Sequence, residues 1–148
     1  KQINTEKKLV IAGGSSDTEE FLHELKKLAL NDKRIIFTGF VQGQLLEELY
    51  SNAYVYVLPS DLEGMPLSLL EAMSYGNCCV VSDIAECAEV VEDKAVVFQK
   101  GSVEQLREKL QDLCQDPERV KRYRDISSDF ICRKYNWDDV VDKTVTLY

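Results

Sequence analysis

The chain of 148 residues carries 26 acids against 18 bases, a formal net charge of −8, with one histidine and five cysteines. That length suits one ordinary domain, residues 1–148, able to bury roughly two-thirds of its unfolded surface. The acidic balance repels phosphate backbones, and the short basic groups Lys7-Lys8, Lys26-Lys27 and Lys121-Arg122-Tyr123-Arg124 read as solvated faces, which excludes nucleic acid as a partner.

Short apolar runs alternate with helical patterns. "KLVIAG" is the first strand candidate, followed by a helix over 17–30 with Asp17 and Glu20 at capping-box spacing. "RIIFTG" is the second, followed by a helix over 43–51, and "AYVYVLP" is the third. A helix then opens at Pro66, placed at its first position, where a fixed φ and a missing N–H cost nothing. "CCVVS" and "AVVF" complete the strands. Ser102 with Gln105 forms a second capping box for a helix over 102–115, and Asp116 before Pro117 caps one over 117–133. Asn136 caps a last helix running to the chain end, with Trp137 as a packing anchor.

Strands separated by crossover-length helices, and apolar on both faces as at Cys78-Cys79-Val80-Val81, predict an α/β fold with a doubly wound parallel sheet and helices on both faces. Ligands of such sheets bind at the carboxyl ends of the strands. The loops to search are therefore Gly13 to Ser16, Gly39 to Gly43, Pro59 to Met65 and Ser82 to Glu89.

The third loop leads into "DLEGMPLSLLEAMSYGN". With Pro66 at the helix start, the amides of Leu67 and Ser68 are free, and a glycine at Gly64 lets a ligand approach them. Free amides at a helix start form a physical site for an anion such as phosphate. On a helical wheel Pro66, Leu69, Leu70 and Met73 share one side, while Ser68, Glu71 and Tyr75 form a polar stripe. A carboxylate at Glu71 can accept both hydroxyls of a ribose, and one at Glu63 can accept from a sugar hydroxyl. The plainer reading stands beside this one: Glu71 as an exposed helix residue and Glu63 as a favourable charge near a helix start.

"LPSDLEGMPLSLLEAMSYGNCCVVSD" resembles the signature of the retaining glycosyltransferases of family 4: Pro-Ser, a glutamate, seven residues, then Glu-Ala-Met and a buried strand after a glycine. "LVIAGG", "RIIFTGFV", "LLEELYSNAYVYVLPS", "EVVED", "KGSVEQLREKLQDLCQDPE" and "YNWDDVV" resemble that family's successive blocks in order, over nearly the whole chain. The resemblance implies the Rossmann-like, nucleotide-sugar-binding C-terminal domain of a GT-B enzyme. It implies that Glu71 holds the ribose hydroxyls and that Glu63, the catalytic candidate, contacts the donor sugar. The segment Gly64-Met65-Pro66 leads to the Leu67 and Ser68 amides, which hold the distal phosphate. The Phe40-Val41 backbone lies beside the base, and Gly13 and Gly14 form the turn under the phosphates. The donor is a UDP- or GDP-type sugar, a substrate rather than a cofactor, and the acceptor is a carbohydrate or a lipid-linked group.

Three departures qualify the match. Family members often have Gly-Phe-Gly where this chain has Gly64-Met65-Pro66, which removes one amide. Ala85-Glu86 stands where many have Gly-Gly, so Glu89 is assigned a structural role. The chain begins just before "KKLVIAGG", without the preceding strand and helix or the basic pair that neutralises the diphosphate, so an upstream acceptor-binding domain is expected and the piece alone is expected to be inactive.

No Asp-x-Asp motif is present, Asp61-Leu62-Glu63 being a near miss, and His23 has no second ligand nearby, so no metal is expected. Cys78, Cys79, Cys87, Cys114 and Cys132 lie in apolar runs without CxxC spacing and read as buried thiols of a reducing, cytoplasmic compartment. No run reaches the ~18 apolar residues of a membrane span, and contact with the inner face of a membrane is left to the missing domain. The two glutamates are not a glycosidase pair, because their assigned work is hydroxyl binding rather than proton transfer. A nucleotide-sugar 2-epimerase and a non-catalytic nucleotide-binding module are the alternatives, the former disfavoured by a histidine confined to the first helix.

Overall fold

The structure is a computed structural model that describes residues 2–14, 19–30 and 32–147, with Trp137 described by its backbone alone. The capping role of Asp17, the Ser15-Ser16 end of the first loop and the packing role of Trp137 lie outside the described residues. Two compact units divide the chain, one running to Glu48 and the other starting at Leu49.

In the first unit, β1 (Leu9–Ala12) pairs in parallel with β2 (Ile35–Gly39), Leu9 opposite Ile35 and Ile11 opposite Phe37, with an irregularity between Ile11 and Ala12. The helix α1 (Glu19–Ala29) provides the crossover between them, with Glu19 and Glu20 in its first turn and Lys26 and Lys27 in its last. That distribution complements the helix dipole at both ends. Asp32 and Arg34 close the turn into β2 with two parallel side-chain bonds of 3.0 and 2.8 Å, while the same guanidinium donates to the Thr5 carbonyl at 2.6 Å. A further helix, α2 (Gln44–Asn52), follows β2 and crosses the division between the units.

The second unit holds three parallel strands in the order β3 (Tyr56–Leu58), β4 (Cys79–Ser82), β5 (Val96–Phe98). All four residues of the central β4 are buried. Alternate residues of a strand point to opposite faces, and Cys78 and Val80 share one cluster with Val96, Phe98, Leu113 and Val120. Cys79 and Val81 on the other face are equally buried, so this sheet is covered on both sides, as a parallel sheet requires. The α/β class and the parallel pairing are as the alternating pattern predicts.

Five helices belong to this unit: α3 (Leu67–Ser74), α4 (Ala85–Val91), α5 (Val103–Gln115), α6 (Pro117–Lys134) and α7 (Trp137–Val145). The Ser102 hydroxyl accepts from the Gln105 amide at 3.2 Å, but Gln105 completes no capping box. Its side-chain oxygen accepts instead from the Gln99 amide at 2.9 Å, because the chain leaving β5 turns back within its reach. Asp116 caps α6 on the Arg119 amide, and Asn136 caps α7 on the Asp138 amide, both at 2.9 Å.

Two expectations need correction. The stretch from Ser82 to Glu89 is not all loop, since α4 begins at Ala85 and buries Cys87, Val90 and Val91, a spacing too short to stand out in sequence. The thiols are not uniformly buried either. Cys78, Cys79 and Cys87 are, whereas Cys114 is half-buried and Cys132 is exposed, because it lies on an outward position of α6.

Candidate functional site

The helix α3 is set by its two ends. At its C-terminus Gly76 takes a φ of +71°, which lets its amide donate to Met73 O at 2.9 Å and the Asn77 amide donate to Ala72 O at 3.1 Å. This paired closure is a Schellman motif, and it explains the order Tyr75-Gly76-Asn77. Leu69, Ala72 and Met73 face the core, and Ser127 on α6 donates to Met73 O at 3.2 Å.

At the N-terminus Pro66 is the cap rather than the first helical residue. Its φ of −77° suits a helix, but its ψ of 72° closes an inverse γ-turn in which the Leu67 amide donates to Met65 O at 2.8 Å. The helix begins with Leu69 and Leu70 donating to Pro66 O at 2.9 and 3.2 Å. Of the two amides expected to be free, that of Leu67 is therefore occupied. The Ser68 amide has no hydrogen-bond partner among the described residues. Met65 and Leu67 are exposed, and a Cβ placed on Gly64 would meet nothing within 4 Å, so the loop in front of that amide is open.

The polar stripe of α3 is present as the wheel predicts, and it is organised by tyrosines. Tyr50 Oη, from the last turns of α2, donates to Glu71 Oε2 at 3.0 Å and lies 3.4 Å from Ser68 O. Its ring stacks on Tyr75 at 5.5 Å and 21° and tilts against Tyr56 at 6.0 Å. Tyr56 Oη, on β3, donates to Ser68 Oγ at 2.8 Å. Burial pushes the Tyr56 hydroxyl up to about 12. Burial, and then the bond to Glu71, raises Tyr50 well above the ordinary tyrosine range, so both remain neutral donors. Glu71 is an exposed carboxylate whose Oε1 has no partner among the described residues.

Glu63 is held through the strand beside it. Ser82, at the end of β4 and buried, donates to the Ser60 carbonyl, and Ser60 Oγ donates to Glu63 Oε1 at 2.6 Å. The half-buried Glu63 thereby keeps Oε2 unpaired among the described residues. The Glu89 backbone carbonyl and the Glu92 carboxylate both accept from Lys134, which ties α4 to the end of α6.

In the first unit, Gly13 and Gly14 follow β1, and Phe40 and Val41 follow β2. Gly13 adopts a φ of +135°, reserved for glycine, while its amide donates to Gly39 O at 2.9 Å. A Cβ on Gly14 would lie 3.8 Å from Phe40 Cβ. Phe40 is exposed and Val41 is half-buried.

Reading the sequence alone missed Tyr50, Ser60 and Ser82. Tyr50 carries a legible signal, an aromatic residue two places before the end of an amphipathic helix, and Ser60 stands in the Pro-Ser of the signature. The described residues contain no cluster of three or more metal-ligating side chains and no helix long and apolar enough to cross a membrane.

Residues 1–129 match the family of glycosyl transferases group 1. An uncharacterized glycosyltransferase of Methanocaldococcus jannaschii is 31% identical over 144 residues, covering 95% of this chain and 36% of that protein. The O-antigen chain mannosyltransferase B of Escherichia coli is 26% identical over 142 residues, again covering 95% of this chain and 36% of that protein. The chain thus spans little more than a third of these relatives. Among solved structures, an Anabaena protein in complex with UDP and glucose superposes with a TM-score of 0.89 at 15% identity, over 99% of this chain and 42% of that one. At that identity the likeness shows the fold, which is that of GT-B glycosyltransferases. The family match, the fold and the two-glutamate segment at the end of β3 lead to one assignment: the chain belongs to the glycosyl transferases group 1.

Proposed function

We propose that this chain is the donor-binding part of a retaining hexosyltransferase that moves a sugar from a UDP- or GDP-type donor to a glycan or lipid-linked acceptor. The observation that carries the reading is a set of polar groups, unpaired among the described residues, where β3 passes into α3: the Ser68 amide, Glu71 Oε1 and Glu63 Oε2. One donor and two acceptors suit a ligand with a phosphate at one point and hydroxyls at two others. Glu71 takes the ribose hydroxyls, Glu63 takes a hydroxyl of the sugar, and the Ser68 amide takes a phosphate oxygen. In the reaction the bond from the anomeric carbon to the diphosphate breaks, the acceptor oxygen bonds to that carbon on the same face, and the acceptor's proton is released. Negative charge grows on the departing diphosphate, and an amide at the positive end of α3 favours that change. The roles that the resemblance gives Gly13, Gly14, Phe40 and Val41 belong to the same proposal, as do an acceptor-binding domain elsewhere in the protein and catalysis without a metal.

The test is titration of the full chain with UDP and GDP, followed by amide resonances. The Ser68 resonance should move with one of the two nucleotides, and Glu71→Ala should weaken binding about tenfold or more, as expected for charge-assisted bonds to hydroxyls. Silence of the Ser68 resonance at millimolar nucleotide refutes the site. In the full-length protein, a Glu63→Ala variant that transfers sugar at the normal rate refutes the role of that residue.

A further inference from the structure

We infer that Tyr50 is a positioning residue for nucleotide recognition: its hydroxyl holds one oxygen of Glu71, so the other is presented to the ribose. The inference rests on the donor reading of Glu71. An exposed glutamate on a helix samples several rotamers, and ordering it on binding has an entropic cost. Here the carboxylate is anchored before any ligand arrives, by Tyr50 Oη at 3.0 Å on Oε2. The anchor is itself packed on several sides. Tyr50 is only 9% exposed, its ring lies between Tyr75 at 5.5 Å and Tyr56 at 6.0 Å, and its carbonyl accepts from Asn77 Nδ2 at 2.9 Å. The donor on Oε2 fixes that oxygen and leaves Oε1 without a hydrogen-bond partner among the described residues. Tyr56 treats the neighbouring side chain in the same way, donating to Ser68 Oγ at 2.8 Å on the residue whose amide has no partner among the described residues.

The experiment compares UDP and GDP with their 2′-deoxy counterparts by titration calorimetry, on the full chain and on Tyr50→Phe, Glu71→Ala and the double variant. Tyr50→Phe keeps the ring, its stacking and the backbone bond, and melting curves check that it folds as the wild type does. With the nucleotide that binds more tightly, wild type should prefer the ribose form. Tyr50→Phe should lose about five-fold of affinity for the ribose form while binding the deoxy form as before. The double variant should bind like Glu71→Ala, since the hydroxyl acts only through that carboxylate. Equal weakening of both forms in Tyr50→Phe means a merely structural tyrosine and overturns the inference, as does an unchanged preference. A wild type that ignores the 2′-hydroxyl, or binds neither nucleotide, overturns the donor reading of Glu71 and the inference with it. Loss of preference in Glu71→Ala but not in Tyr50→Phe overturns the inference alone.

Discussion

Asn77 looks indispensable and should prove cheap to remove. It is fully buried, and its Nδ2 donates to Tyr50 O at 2.9 Å and Ala72 O at 3.0 Å, joining the ends of α2 and α3. Its Oδ1 has no hydrogen-bond partner among the described residues. Asn77→Ala loses two neutral hydrogen bonds at about 1 kcal/mol each, but it also removes an unsatisfied buried oxygen that costs about 2 kcal/mol. Neither carbonyl is orphaned, because Tyr50 O still accepts from the Ala53 amide and Ala72 O from the Asn77 amide. What remains is the space left by three heavy atoms, about 1 kcal/mol. The expected destabilisation is therefore about 1 kcal/mol, against about 4 kcal/mol had Oδ1 been satisfied by a third bond. Urea unfolding followed by circular dichroism, with an unchanged m value, measures it. A loss of about 3 kcal/mol or more refutes the accounting. Asn77→Asp should behave differently, losing about 3–5 kcal/mol at neutral pH by turning a carboxylate toward two carbonyls.

Two further outcomes are expected. Gly64→Ala should leave the melting temperature unchanged, since the added Cβ meets nothing within 4 Å, while weakening nucleotide binding if a ligand approaches that backbone; a destabilised variant contradicts the open loop. In alkali, burial holds the thiols of Cys78 and Cys87 up to about 11 and the Tyr56 hydroxyl up to about 12. The unfolded chain releases these protons at lower pH and so binds fewer of them above about pH 9, which makes stability fall as pH rises until the folded groups ionise. A melting temperature constant from about pH 8.5 to 11 contradicts that burial.

The identity of the strands and the caps at Asp116 and Asn136 were legible because each depends on a few adjacent residues. The period of apolar positions says which face is buried, and a proline or an Asp sets where a helix opens. The stripe of Ser68, Glu71 and Tyr75 follows from the same period. The start of α3 escaped this reading by one residue. Proline constrains φ but leaves ψ to the surroundings, and here ψ turned to give the Leu67 amide a partner.

What tertiary structure alone decided is which polar atoms are already used. Tyr50 lies 21 residues before Glu71, and Ser82 lies 22 after Ser60, so their hydrogen bonds carry no local signature. Packing of α2 and β4 against the β3–α3 junction selects those partners. It leaves the Ser68 amide, Glu71 Oε1 and Glu63 Oε2 without hydrogen-bond partners among the described residues. Composition and spacing can say that two glutamates flank a helix start. Only a folded chain shows that each has one oxygen bonded to the protein and one without a partner among the described residues.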